Sequence, residues 1–206
     1  LGKKFSNLSI LPNKTIIAGS ATIDKKVASF ASDNDIGGLE FLSCIPGSVG
    51  GGIRMNSGCF GTEFKDVLLS VQAVNISGQV ITIPSSKINF EYRACDLSKD
   101  LIFLSASFKG EFQNKKIVKK NIDNLILKKE KAQPTKIKTG GSTFKNPITQ
   151  TNKKVWELIK SSVPTDIRFG DATISEKHSN FFVNQNNATF EDMKKLIDYV
   201  KKKVKE

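Results

Sequence analysis

Between positions 47 and 61 the chain places six glycines, in the run Ile45-Pro46-Gly47-Ser48-Val49-Gly50-Gly51-Gly52 followed by Met55-Asn56-Ser57-Gly58-Cys59-Phe60-Gly61. Ordering so many glycines costs conformational entropy, so a fold accepts the stretch only where the backbone must turn sharply or approach something closely. Tight turns are one explanation. The other is a flat polar ring or a phosphate at which backbone N–H groups point. The run is not a phosphate-binding P-loop, because no Gly-Lys-Ser/Thr follows, and it lacks the G-x-G-x-x-G spacing of the dinucleotide fingerprint. The density of glycine favours a cofactor.

Composition bounds the rest. The chain has 206 residues, 32 basic and 20 acidic side chains, a formal charge of +12 and 38% hydrophobic content. That is enough for one large or two modest cores without disulfides or a structural metal, and it excludes disordered, collagenous and coiled-coil chains. Cys44, Cys59 and Cys95 form no C-x-x-C pair and are odd in number, which reads as reduced cytosolic thiols. His178 is the only histidine, and no metal site is expected. No window reaches the roughly 18–20 apolar residues of a membrane span, and residues 1–14 lack the apolar centre of a signal peptide. The expectation is a cytoplasmic protein. The first residue is Leu1 rather than Met, as in a fragment of a longer chain.

Charge is distributed unevenly. Residues 1–108 carry 8 lysines and 2 arginines against 9 acids, whereas residues 109–206 carry 21 lysines and 1 arginine against 11 acids, so the halves are +1 and +11. The step places a boundary near 108–113 and gives two units, 1–108 and 109–206. The second either faces an anionic partner or wears a solvated lysine coat. Only Arg54, Arg93 and Arg168 are arginine; against so much lysine they mark places where a planar, bidentate cation is needed.

Periodicity predicts an α+β chain. In the first unit, 14–18 reads as a strand, and Thr22 as the N-cap of a helix bearing Ile23, Val27, Ala28 and Phe30 that stops at Gly37-Gly38. Residues 66–75 alternate as a half-buried strand that turns at Ser77-Gly78 into 80–83, and 101–108 closes the sheet. In the second unit, 115–131 is an amphipathic helix through Val118, Ile122, Leu125 and Ile126, with Pro134 beyond its end. A short helix at 155–159 and a strand at 181–183 follow. Thr189 opens a last helix with Met193, Leu196, Ile197, Val200 and Val204 on one face.

Three further places could carry chemistry. Thr139-Gly140-Gly141-Ser142-Thr143-Phe144-Lys145-Asn146-Pro147 sets a serine after two glycines with a lysine three residues on. Such a loop can hold a hydroxyl away from the core beside an ammonium, and a Ser-Thr turn explains the same residues. G-x-S-x-G is absent around Ser48 and Ser142, and a triad would have to recruit His178, so a serine hydrolase is not supported. Arg93, after Phe90-Glu91-Tyr92, either pairs with Glu91 or Asp96 or clamps a ligand carboxylate. His178, in Ser175-Glu176-Lys177-His178-Ser179-Asn180, either caps a strand or faces a ligand.

Taken in chain order, these blocks resemble the UDP-N-acetylenolpyruvoylglucosamine reductase (MurB) family. They are Gly38-Leu39-Glu40-Phe41-Leu42 leading into the 45–51 run; Met55-Asn56-Ser57-Gly58-Cys59-Phe60-Gly61; Phe64-Lys65-Asp66-Val67; Phe90-Glu91-Tyr92-Arg93; Gln133-Pro134; Gly140-Gly141-Ser142-Thr143-Phe144-Lys145-Asn146-Pro147; Trp156-Glu157-Leu158-Ile159; and Ile174-Ser175-Glu176-Lys177-His178-Ser179-Asn180-Phe181. The resemblance implies the second lobe of a two-lobed (PCMH/VAO-type) FAD-binding domain over 1–108, then an α+β substrate-binding C-terminal domain over 109–206. It implies FAD and NADPH as cofactors and a UDP-sugar as substrate, whose enolpyruvyl group becomes the lactyl ether of UDP-N-acetylmuramate in peptidoglycan precursor synthesis. It also implies a monomer with no nucleic-acid or membrane partner.

By the same resemblance, Arg93 steadies the negative charge that develops beside the substrate carboxylate, and Ser142 donates the proton. Serine is a poor acid, so burial beside Lys145 has to drive that transfer. Pro46, Gly47, Ser48, Val49, Gly50, Gly51, Asn56 and Gly58 correspond to cofactor contacts, and Tyr92, Lys145, Asn146, His178 and Asn180 to substrate contacts. The +11 half then attracts polyanionic UDP-sugar and NADPH.

Parts of the family pattern are expected outside this sequence: a first FAD lobe before Leu1, and a segment with a catalytic glutamate after Glu206. On that expectation the chain alone is a truncated, inactive reductase. Asp166 and Asp171 stand where the family has glycine, and the 48 residues between Arg93 and Ser142 imply the shorter variant without an inserted substrate lid. Two rivals come from other classes. A basic nucleic-acid-binding domain needs aromatic residues among its cations, which amphipathic lysine helices do not supply. A flavin-dependent oxidase of similar architecture is opposed only by the Gly-Gly-Ser-Thr-Phe-Lys-Asn-Pro block.

Overall fold

The computed structural model describes residues 2–135 and 137–206. It divides into two compact units, Leu1–Leu127 and Lys128–Glu206. The break falls inside the helix Lys115–Ala132 and not near 108–113, where the charge steps. Val118 of that helix is buried and Ile122 packs on the first core, so apolar contacts carry its early turns into the first unit. Lysine density records only exposure.

In the first unit an antiparallel sheet runs in the order Leu8–Ile10, Ile16–Gly19, Ile102–Phe108, Leu68–Val74, Val80–Pro84. Leu68, Val71 and Ala73 point into the core while Leu69 and Gln72 are exposed. A register shift opposite Ser107 and Phe108 lets Leu68 and Val71, three apart, share a face. Helices α1 (Asp24–Asp33), α2 (Val49–Arg54) and α3 (Phe64–Val67) add Val27, Ala28, Ala31, Val49, Ile53 and Phe64 to the same core. At its centre Phe64 meets Phe41 and Phe108 edge-on, at ring separations of 6.3 and 5.7 Å.

Several local expectations are corrected. Thr22 does not cap α1: it is fully buried, its hydroxyl donates to Asn7 O at 3.4 Å, and Ile23 occupies the N-cap without a side-chain bond. The helix ends at Asp33, ahead of Gly37-Gly38, because Asn34 Nδ2 folds back onto Phe30 O (2.8 Å) and Asp35 takes φ +56°. The strand expected from 66 begins at Leu68, since Glu63 and Asp66 close a reciprocal capping box around α3. Lys14 turns at φ +64°, so the strand expected from 14 starts at Ile16.

After α4 (Lys115–Ala132), the second unit has a four-stranded antiparallel sheet ordered Thr139–Ser142, Phe181–Asn184, Ala172–Ile174, Arg168–Phe169. Its core joins Ala172, Ile174 and Phe182 to Val155 and Ile159 of α5 (Val155–Ser162) and to Leu196 and Val200 of α6 (Phe190–Lys205). Thr189 caps α6 as expected, with Thr189 Oγ accepting Asp192 N (3.1 Å) and Asp192 Oδ2 accepting Thr189 N (2.9 Å). No helix among the described residues is long and apolar enough to cross a membrane. Among the described residues Cys44, Cys59 and Cys95 form no disulfide.

One of the three arginines is a tether. Arg54, ending α2, donates to Leu97 O (2.7 Å), Ser98 O (3.0 Å) and Leu101 O (3.1 Å), with its guanidinium 4.3 Å from the Phe103 ring centroid. A lysine ammonium cannot reproduce that planar fork. Arg54→Lys should lose about 2 kcal/mol of stability in urea unfolding; a change under about 0.5 kcal/mol would show that the tether contributes little.

Candidate active site

Main-chain hydrogen bonds seat the glycine-rich stretch on residues 20–24. Asp24 N donates to Gly47 O (3.0 Å), Val49 N to Thr22 O (2.9 Å) and Gly50 N to Ser20 O (2.9 Å), with Ile23 and Ser48 as bridge partners. The approach excludes side chains. A Cβ on Gly50 would stand 3.2 Å from Ser20 Cβ and O, and one on Gly52 would run into the Phe64 ring. Packing within the protein therefore accounts for both of these glycines. Pro46, Gly47 and Gly51 are exposed, Ser48 and Gly50 half-buried, and the Val49 side chain fully buried in the core. Ser20, Ala21, Ser48, Gly50 and Phe103 line an open groove of about 420 Å³ beside the loop. All of its lining except Phe103 is small.

Asn56 is a hub. It is buried at φ +39°; its Nδ2 donates to Glu63 Oε2 (2.9 Å) and Glu91 O (3.4 Å), and its Oδ1 accepts Lys65 N (3.1 Å). The amide thus joins the end of α2 to α3 and to the hairpin Phe90–Glu91/Ala94–Cys95, so its polar atoms are engaged by protein. A Cβ at Gly58 would lie 2.7 Å from Glu63 Cγ, another packing requirement. At the hairpin tip Arg93 has φ +60°, and its guanidinium lies 5.5 Å from the Tyr92 ring centroid. A long side chain in the left-handed region costs on the order of 1 kcal/mol and persists where surrounding structure imposes it, which is common at functional sites. Asp96 is occupied by Asn89 (3.0 and 2.7 Å), and no carboxylate pairs with Arg93 among the described residues.

In the second unit Asn180 clamps the loop after Ser142. Its Oδ1 accepts Phe144 N (3.0 Å), its Nδ2 donates to Phe144 O (2.9 Å), and its main-chain O accepts Thr143 N (2.8 Å). Asn146 Oδ1 accepts Val155 N (3.0 Å), the first residue of α5. Both amides shape the loop. His178 Nδ1 accepts Asn180 N (3.2 Å), and its ring lies 4.9 Å from Phe181 and 6.2 Å from Trp156. Burial lowers the His178 pKa from its ordinary value, so at neutral pH the ring is uncharged with its proton on Nε2. It supports the clamp and brings no charge. Ser142 and Lys145 are exposed; the expected burial of Ser142 is not found, because it closes the edge strand Thr139–Ser142.

The larger concavities of this unit lie elsewhere. One of about 680 Å³ has Arg168, Thr173, Lys177 and Gln185 in its wall, and one of about 360 Å³ has Trp156, Lys160 and His178. Of the expected site residues only His178 lines either. The sequence marks Arg168 only as one of three arginines and Lys177 only as a member of the block 174–181, and gives neither a role in a cavity. Among the described residues no group of three His, Cys, Asp or Glu side chains could hold a metal ion.

Residues 133–206 match the family "UDP-N-acetylenolpyruvoylglucosamine reductase, C-terminal domain", and residues 1–84 match "FAD binding domain". The UDP-N-acetylenolpyruvoylglucosamine reductase of Pelagibacter ubique (strain HTCC1062) is 67% identical over 201 residues, covering 98% of this chain and 67% of that protein. The chain belongs to the UDP-N-acetylenolpyruvoylglucosamine reductase family. Another member, from Rickettsia bellii (strain RML369-C), is 40% identical over 204 residues, 99% of this chain and 67% of its own length. The crystal structure of the reductase from Thermus caldophilus (MurB) superposes with a TM-score of 0.85 at 27% identity, over 98% of this chain and 72% of that one. The chain thus spans about two thirds of the curated relatives' length.

Within this reductase-family chain, sequence reading missed Asp24. The residue is fully buried at the start of α1, and neither carboxylate oxygen has a hydrogen-bond partner. A lone aspartate in a helix's first turn reads as an exposed dipole partner; only the packing of the 45–48 segment over it reveals the burial. Burial pushes its pKa up to about 7 from 3.8. The folded state therefore holds a proton that the unfolded chain releases near pH 4, and stability falls as pH rises from about 4 to 7, by on the order of 4 kcal/mol. Asp24→Asn should flatten that slope and leave the protein about 2 kcal/mol more stable at pH 8.5 in denaturant titrations. Equal slopes in both proteins would mean that Asp24 does not titrate in this window.

Proposed function

We propose that this chain carries the FAD-dependent, NADPH-driven reduction of the enolpyruvyl group of UDP-N-acetylglucosamine-enolpyruvate to the lactyl group of UDP-N-acetylmuramate. Family membership over nearly the whole chain carries the reading. The local geometry supports it: Asn56 binds the glycine loop's helix to the Arg93 hairpin, and Asn180 fixes the loop between Ser142 and Lys145. The exposed Pro46, Gly47 and Gly51 and the neighbouring groove fit a flavin, with the first unit as its domain and the second as the substrate domain. Bound FAD would supply the relay of a hydride from NADPH to the terminal carbon of the enolpyruvyl double bond.

That addition leaves negative charge on the carbon beside the carboxylate. The Arg93 guanidinium stabilises it, and Tyr92, stacked against the guanidinium, limits where the cation can go. Ser142 Oγ–H then donates its proton to that carbon, giving the lactyl ether, and the oxygen recovers a proton from solvent. Exposed Lys145 holds the diphosphate as a point charge. Asn146, His178 and Asn180 act mainly by fixing the loop that presents Ser142 and Lys145. The lysine coat attracts small polyanions to a monomer, with nucleic acid and membrane outside its chemistry.

In FAD-loaded protein, Ser142→Ala should leave NADPH bleaching of the flavin unchanged and slow reoxidation by the enolpyruvyl sugar about 100-fold or more in stopped flow. Equal loss of both half-reactions would make Ser142 structural. Arg93→Ala should slow the second half-reaction by about 100-fold, roughly 3 kcal/mol; unchanged turnover would remove Arg93 from the mechanism.

A further inference from the structure

Asp24 touches the glycine loop in two ways. Its N–H donates to Gly47 O at 3.0 Å, and its Oδ2 stands 3.2 Å from where a Cβ on Gly47 would be, so the carboxyl group lies directly under the loop. The negative end of the Gly47 carbonyl dipole faces the same residue. A neutral carboxyl tolerates that neighbour; a carboxylate repels it and has no donor of its own. We infer that Asp24 is a proton-linked positioning residue for the 47–50 loop: neutral, it lets the loop lie closed on residues 20–24; ionised, it loosens the Gly47 contact and repels an electron-rich ligand on the loop's exposed side.

The surroundings leave Asp24 in control of this equilibrium. On its own helix Lys25 and Lys26 are exposed and Asp33 pairs with Lys115 (2.7 Å). On the turn Glu40–Cys44, which packs against α1, the Glu40 carboxylate accepts Gly38 N (2.8 Å). Lys3 and Lys4, ahead of the segment that pairs with Ala21, are exposed, and residues 45–50 carry no charge. Burial alone raises the Asp24 pKa, to about 7, so the switch falls in the physiological range.

The inference about the loop stands on geometry, and its extension to flavin rests on the proposed function; two measurements separate them. First, hydrogen exchange of the Val49 and Gly50 amides, corrected for intrinsic rates, is followed from pH 6 to 8.5 in the full chain. Protection should fall about tenfold through pH 7 in the wild type and stay level in Asp24→Asn; parallel profiles overturn the inference. Second, FAD affinity is measured over the same range. A loss of about tenfold in the wild type, absent in Asp24→Asn, supports the link to the ligand. Tight binding with no pH dependence in either protein overturns that link, whereas failure of both to bind FAD at pH 6 counts against the flavin reading and leaves the exchange result to judge Asp24.

Discussion

Three main-chain hydrogen bonds between residues 20–24 and 47–50 hold the glycine loop, and the groove beside it and the burial of Asp24 both depend on them. They bring the two segments almost into contact, so a side chain on Gly50 would crowd Ser20. They also bury Asp24, since the loop that closes over residues 20–24 removes its carboxyl group from water without giving it a partner. The same contact creates the loop's exposed face and places an ionisable group behind it.

Within each unit, side-chain amides fix a neighbouring loop. Asn56 reaches from the end of α2 to α3 and the Arg93 hairpin, and Asn180 performs the equivalent service around Phe144. In each case a buried amide satisfies main-chain groups of a neighbouring loop, which fixes the loop without a long element to support it. The loops leave exposed the backbone at Gly47 and Gly51 in the first unit and the Ser142 and Lys145 side chains in the second.

Motif order in the sequence was enough to name the family and to bring forward Arg93, Ser142 and Lys145. Motif matching, however, gives the same weight to every residue within a block. Asn56, Asn146 and Asn180 stand among the expected ligand contacts, and each also hydrogen-bonds within the protein, to partners up to 36 positions away. Val49 belonged to the glycine run by position and to the core by burial. Asp24 belonged to no motif, because its burial comes from a loop more than twenty residues further on.

Periodicity and local chemistry determined the α+β class, the existence of the strands expected at 66–75 and 101–108 though not their ends, the capped start of α6 and the amphipathic course of α4, because each depends on residues within a few positions of one another. Tertiary structure alone decided which glycines are spacers, where the first core ends along α4, why Arg54 is an arginine, and that an aspartate lies sealed beneath the loop. The physical reason is that burial, close approach and hydrogen-bond saturation are set by segments distant in sequence, and a one-dimensional pattern contains no term for them.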